Sequence, residues 1–333
     1  MSVTFGAFTP GTYQDIIQQI QQSLTVAGTS YYVDPANGSD TNIGTSPTQA
    51  YRTLPQAYAA ATSGANDTIY LLGDGTTNGS ARLTSTLTIA KHALSIIGVC
   101  APSYNPRARI ATLSGNTAFA NFIKVTATGC QFANFSIFND NAIAAQKTWI
   151  DQGGRNSYSG ILFGGMGDGT SAHSTTSRIL ELGGSGASGE NTFTNCTFGI
   201  DTSLTPGRDV ANATIEFVGS SKRNVFTDCK FVTDAKATTV LHLKSSGTNP
   251  LETFQWFKRC AFHNTYPQSS GLLMAAVATL AANGNGNLVL ENCTRWGTTD
   301  WGTDATSLAQ IFTSGPAVGT GSTSGQSTVA TAT

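Results

Sequence analysis

Three short apolar runs carry the residues best suited to chemistry. ILEL (Ile179–Leu182), TIEF (Thr214–Phe217) and VLHL (Val240–Leu243) each hold one polar residue between apolar ones: Glu181, Glu216 and His242. Lys124 holds the same slot in FIKV (Phe122–Val125). If these runs are strands stacked in register, their polar side chains share one outer face at about 4.8 Å intervals. Two carboxylates that close repel, which raises the pKa of one, and a neighbouring imidazole completes an acid–base set. A separation of about 5 Å also suits a retaining glycosidase. The same letters equally describe a solvated outer face of half-buried strands, or polar contacts across a subunit interface. No arginine joins the three at a strand position in this reading.

Cysteine offers a second chemistry. Cys196, Cys229, Cys260 and Cys293 are spaced by 33, 31 and 33 residues. NTFTNCTF (Asn191–Phe198) and NVFTDCKF (Asn224–Phe231) are nearly the same phrase, and Phe257/Cys260/Phe262 keeps its frame. The last copy, Leu290/Cys293/Trp296, places its aromatic one residue late. Zinc calls for ligands that converge, commonly as paired C-x-x-C units, and none is present. The four cysteines therefore read as a structural ladder of buried thiols rather than a metal site. Cys100 and Cys130 lie outside the frame and also read as thiols. The glycines of GGSGASG (Gly183–Gly189) precede a strand rather than a helix, so they read as a turn and not a dinucleotide loop. No cofactor is expected.

Positioning these residues requires a repeating architecture. The paired runs recur every ~30 residues with no helical pattern between them, which describes an all-β chain wound as a parallel β-solenoid. Earlier turns fit the cysteine frame at Phe132/Phe135/Ile137 and Leu94/Ile97/Val99. The segment Asn139–Ser159 is too long for a turn and reads as an excursion suited to partner contacts. Trp149, Tyr158, Trp256, Trp296 and Trp301 are the aromatics to follow for carbohydrate stacking. Before the coil, YQDIIQQIQQSL sets Tyr13, Ile16, Ile17, Ile20 and Leu24 at helical spacing, a short amphipathic helix that serves as cap or partner-binding anchor. The organisation expected is an N-terminal arm at 1–30, a β-helix at 31–312 and a flexible Ser/Thr/Gly-rich tail at 313–333.

Composition excludes several classes. Only 11% of residues are charged and the net charge is −1, so there is no electrostatic footprint for nucleic acid. The longest apolar run, Gly271–Ala282, is too short to span a bilayer, so no membrane insertion is expected. Met1–Gly11 lacks the charged and apolar regions of a secretory signal, which points to a chain made and kept in a cytosol.

The stretch Tyr31–Gly75 contains an opening strand, the loop D-x-x-x-G-S-D-x-x-x-G-T-S-P, the helix start Tyr51-Arg52-Thr53-Leu54, and DTIYL ending at glycine. It resembles the first segment of right-handed parallel β-helix proteins of the pectate-lyase-like superfamily. That superfamily includes secreted polysaccharide-degrading enzymes and bacteriophage virion proteins of the head-decoration and tailspike types. With the signal sequence missing and an extra N-terminal helix present, the likeness leans to the virion proteins. It implies a non-enzymatic capsid decoration, cement or head-surface protein, made in the host bacterial cytoplasm and carried on the virion surface. Expected partners are two further copies in a homotrimer, the major capsid protein and a host surface glycan. The alternative is a tailspike-type depolymerase, a glycoside hydrolase or lyase, with Glu181, Glu216 and His242 as candidates. The lyases of the superfamily use a strong base such as arginine and a calcium site of clustered aspartates. Asp201, Asp209, Asp228 and Asp234 are near in sequence but form no Asp-x-Asp or Asp-Asp run, so no metal site is expected.

Overall fold

The computed structural model describes residues 28–74, 79–113, 119–139, 141–184, 188–199, 207–265, 273–281, 286–304, 309–314 and 328–329. The expected helix residues Tyr13, Ile16, Ile17, Ile20 and Leu24 lie outside the described residues. The chain is an all-β, right-handed parallel β-helix of three sheets. From Thr68–Leu72 to Thr298–Asp304 each turn contributes one strand to each sheet in the same order. The turn that opens at Thr192–Thr194 in sheet 1 continues with Thr197–Gly199 in sheet 2 and Ala213–Val218 in sheet 3. Among the described residues sheet 1 has 11 strands, and sheets 2 and 3 have 8 each.

Corner residues explain the repeated spelling. Asn134, Gly160, Asn195, Asp228, Arg259 and Asn292 stand between sheets 1 and 2 with φ of 50–60°. Glycine and asparagine or aspartate tolerate this left-handed region best, which accounts for most of these letters. The next residue points inward, so Asn195-Cys196, Asp228-Cys229 and Arg259-Cys260 are each a corner followed by a core position. At the corner entering sheet 1, Asn156, Asn191, Asn224 and Gln255 are buried and linked rung to rung. The Asn191 Oδ1 accepts from Asn156 N at 2.9 Å, and the Asn224 Oδ1 from Asn191 N at 3.1 Å. These side chains satisfy backbone N–H groups that a corner takes away from the sheet ladder.

The interior is a stack of rings. Phe132, Tyr158, Phe193, Phe226 and Phe257 follow one another on sheet 1 with centroids 4.4–5.0 Å apart. Phe163, Phe198, Phe231 and Phe262 do the same on sheet 2 at 4.6–5.0 Å. In-register stacking of one residue type at each position is what a 30-residue repeat delivers, and each ring pair adds about 0.5–1.5 kcal/mol beyond burial. The expected frame fails at its first and last copies: Ile96, not Leu94, pairs with Phe132 and Val99 is exposed, while Arg295, not Trp296, pairs with Phe262 and Trp296 faces out.

The opening motif is structural. The Asp34 carboxylate accepts from Ala36 and Asn37 N, and Asp40 accepts from Arg52 and Thr53 N. Thr53 caps the helix Leu54–Ala60, whose Leu54 and Ala57 are buried against the first rungs. The Lys91 ammonium donates to the carbonyls of Tyr58, Ala59 and Ala61 at the end of that helix.

The stretch read as an excursion is mostly coil. Lys147–Asp151 joins sheet 3 and Ser157–Ser159 joins sheet 1, both in register with the rungs on either side. Among the described residues of this stretch, 139, 141–146 and 152–156 connect the strands.

Candidate functional site

The outer face of sheet 3 carries the predicted carboxylates. Glu181 and Glu216 are directly opposite one another on adjacent strands, as their matching positions require. The column they belong to runs Lys124, Ile150, Glu181, Glu216, Lys244 and Thr279.

His242 is not in that column. Strand pairs form at Lys147, Arg178, Ala213 and Leu241 and resume at Trp149, Leu180, Ile215 and Leu243. The residues between, Thr148, Ile179, Thr214 and His242, are fully buried. The strand bends here, so two consecutive side chains point inward and strict alternation fails. VLHL is therefore aligned two residues out of step with TIEF, and the true partner of Glu216 is Lys244. His242 instead lies in the core, its ring centroid 5.6 Å from Phe262 and 6.5 Å from Phe231. Both ring nitrogens lack a hydrogen-bond partner. Burial first, then the charges of Arg208 and His263, drives its pKa well below the ordinary value, so the ring is neutral.

The bend also brings an arginine to the carboxylates, contrary to the sequence expectation. Arg178, three residues before Glu181, shares the outer face, and its Nε donates to the Glu216 Oε2 at 2.5 Å. The Lys147 Nζ lies 2.6 Å from the Glu181 Oε2, and the Lys244 Nζ 3.9 Å from the Glu216 Oε1. Burial raises the Glu216 pKa, but the Arg178 hydrogen bond and charge, with Ser246 and Lys244, outweigh it and hold it below the ordinary carboxylate range. A carboxylate held ionised by a buried guanidinium is a poor proton donor near neutral pH. The array is a charge-paired ladder in which each anion is closed by a cation from a neighbouring rung.

Sequence reasoning missed a strongly perturbed carboxyl. Asp151 points inward and has no exposure. It accepts from the Tyr158 hydroxyl at 2.6 Å, Gly153 N at 2.8 Å and the Asn156 Nδ2 at 3.1 Å. Burial pushes its pKa up to about 6, against the pull of these three donors. The only sequence signal is an aspartate in the small-or-apolar slot that Leu182 and Val125 fill on the flanking rungs. With no exposure, this carboxyl meets no substrate.

The remaining candidates are dispersed. Asp209 pairs with His173, and Asp228 with Arg259 through two bonds of 2.8 Å. Asp234 is nearly buried, and Asp201 lies outside the described residues. Among the described residues no three His, Cys, Asp or Glu side chains converge as a metal site. Cys196, Cys229 and Cys260 are buried free thiols in one column and Cys293 is half-buried at its end. Trp149 and Tyr158 are core residues with no exposure, so they leave the set of candidate sugar platforms. Trp296 is about half exposed, and Trp256 donates its Nε1–H to Glu291 at 2.9 Å. No described helix is long and apolar enough to cross a membrane.

No protein-family model matches the chain, and no curated protein matches it in sequence. Solved structures do match it in shape. The pectin methyl esterase of the rice weevil is 15% identical over 90% of this chain and 86% of its own, with a TM-score of 0.53. The Escherichia coli protein ybhc is 12% identical over 93% of this chain and 78% of its own, again at 0.53. Pectate lyase Pel9A is 13% identical over 86% and 80%, at 0.49. Identities this low establish the fold and not the activity. The chain shares the right-handed β-helix fold of these structures, and the likeness says nothing of a phage origin.

Proposed function

We propose that this chain is a non-enzymatic structural protein of a bacteriophage particle, a β-helix that decorates or cements the head surface as a homotrimer. One observation carries the non-enzymatic part. The stacked carboxylates Glu181 and Glu216 are each closed by a cation, with Arg178 at 2.5 Å and Lys147 at 2.6 Å. Such pairing stiffens the outer face, and the Arg178 bond and charge hold Glu216 ionised and therefore a poor proton donor. The virion part is supported by the resemblance of Tyr31–Gly75 to phage proteins and by the stripe Tyr13, Ile16, Ile17, Ile20 and Leu24, suited to anchoring on the major capsid protein.

The test uses particles of the phage that encodes the chain. Mass spectrometry of purified virions should recover it at high copy, and a chain lacking residues 1–28 should fold yet fail to attach. Absence from purified particles would overturn the reading. The enzymatic alternative is tested separately, by incubating the full chain with pectin, host capsule and lipopolysaccharide. New reducing ends, unsaturated uronate or methanol, lost in Glu216→Gln, would establish a polysaccharide-acting enzyme instead.

A further inference from the structure

The cysteine column repeats its geometry as well as its sequence. Each Sγ of Cys196, Cys229, Cys260 and Cys293 reaches the carbonyl two residues earlier at 3.4–3.5 Å. The last three also reach the carbonyls of Phe193, Phe226 and Phe257 on the preceding rung at 3.5–3.6 Å. One hydrogen-bond pattern means one rotamer, so successive sulfurs are displaced by one strand spacing, about 4.8 Å. In-register Cβ atoms share that spacing, whereas a disulfide needs them about 3.5–4.5 Å apart. The register therefore keeps neighbouring thiols from closing into disulfides.

The same spacing fits a different bond. Two collinear metal–thiolate bonds of about 2.3 Å, the zinc–sulfur length, span about 4.6 Å. We propose that the column is a binding site for soft, thiophilic cations, each held linearly between two successive sulfurs. Soft sulfur donors select cations of the cuprous, silver and mercuric kind over hard ones. Zinc is excluded by geometry, since a tetrahedral ion needs ligands converging on a point and the column offers two at a time. Stacked Phe193 and Phe226 on one side and Phe198 and Phe231 on the other wall the column from water. Entry is from the end where Cys293 is half-buried.

A mercuric ion entering a pair breaks two S–H bonds, forms two Hg–S bonds and releases two protons, with no change in oxidation state. Pairing 196 with 229 and 260 with 293 gives two ions per chain. Uptake therefore strengthens as pH rises, because each ion competes with protons.

The experiment titrates the reduced full-length chain, in a Cys100→Ser/Cys130→Ser background, with mercuric chloride. Native mass spectrometry and the sulfur-to-mercury ultraviolet band read the uptake, and far-ultraviolet circular dichroism reads the fold. The expected result is two ions with the fold retained, one ion in Cys293→Ser, none in Cys229→Ser/Cys260→Ser, and no retained zinc. Cys293→Ser changes only a half-buried residue, so it decides the matter even if the double variant misfolds. Two ions retained in Cys293→Ser, no uptake by the folded chain, or uptake only with loss of the dichroism signal would overturn the proposal.

Discussion

Asp151 and His242 are both ionisable, both point into the coil, and neither has any exposure. Their surroundings differ completely. Asp151 sits among donors: the Tyr158 hydroxyl, the Asn156 amide and Gly153 N all reach it, and Trp149 in turn donates to Tyr158 at 3.3 Å. His242 sits edge-on to the stacked pair Phe231 and Phe262 with no partner at either nitrogen. Its polar neighbour, Arg208, is itself buried and spends its donors on Asn212, Thr214, Thr233 and the Leu241 carbonyl. Burial, then the Arg178 charge, lowers the Arg208 pKa to about 9. The coil thus accepts an ionisable group in two ways, by a hydrogen-bond network or by keeping it uncharged. The N-terminal rungs use the first because the asparagine column supplies Asn156 beside Asp151. The rungs around His242 offer aromatic faces and a cation, neither of which accepts a proton from an imidazolium.

The contrast predicts opposite responses to acid. The Asp151 pKa is about 6 in the fold against an ordinary 3.8, so the folded chain binds the proton more tightly. That contribution, about 3 kcal/mol by linkage, is full below pH 3.8 and lost as pH rises through 6. The His242 pKa is depressed, so its contribution is full above pH 6.5 and lost as pH falls below it. Urea denaturation of Asp151→Asn beside the native chain should show the native chain gaining about 2.4 kcal/mol on the variant between pH 7 and pH 4. Parallel stability curves would remove the titration from Asp151.

Tyr158→Phe should cost about 2 kcal/mol at pH 8, where the carboxylate is ionised and loses its shortest hydrogen bond. The cost should shrink at pH 4; a cost independent of pH would point to lost packing instead. His242→Leu should do the reverse and stabilise by about 1 kcal/mol at pH 7.5, because it removes two unsatisfied polar atoms. Its advantage over the native chain should widen in acid, and a destabilised variant would mean that the imidazole has a partner. The smallest effect tests the outer face. Lys244→Met should change stability by about 0.3 kcal/mol, since the pair with Glu216 is 3.9 Å long and partly solvated. A loss above about 2 kcal/mol would show that Lys244, and not Arg178, holds Glu216 ionised.

Much of this molecule was legible before folding. The cysteine frame revealed the rung length, and NTFTNCTF and NVFTDCKF are indeed one rung written twice, with Phe193 on Phe226 and Phe198 on Phe231. The pairing of Glu181 with Glu216 was also readable, because ILEL and TIEF align letter for letter. What failed was alternation at the bend into sheet 3. A period of two assumes a straight strand, and a corner that turns two side chains inward shifts every later position by one. That single shift put His242 on the wrong face and hid Arg178 from the carboxylates it neutralises.

The sequence by itself determined the architecture: a repeat of about 30 residues with small, apolar and asparagine letters at fixed offsets can bury its apolar faces only by stacking on itself. It also determined which residues stack, since register follows from the repeat. Only the tertiary structure decided what the polar residues do. Whether a glutamate is a free acid or half of an ion pair depends on a side chain one rung away and three positions out of step. Whether an aspartate or histidine is tolerated in the core depends on donors and acceptors contributed by neighbouring turns. Those contacts are non-local, set by bends that no period in the letters announces.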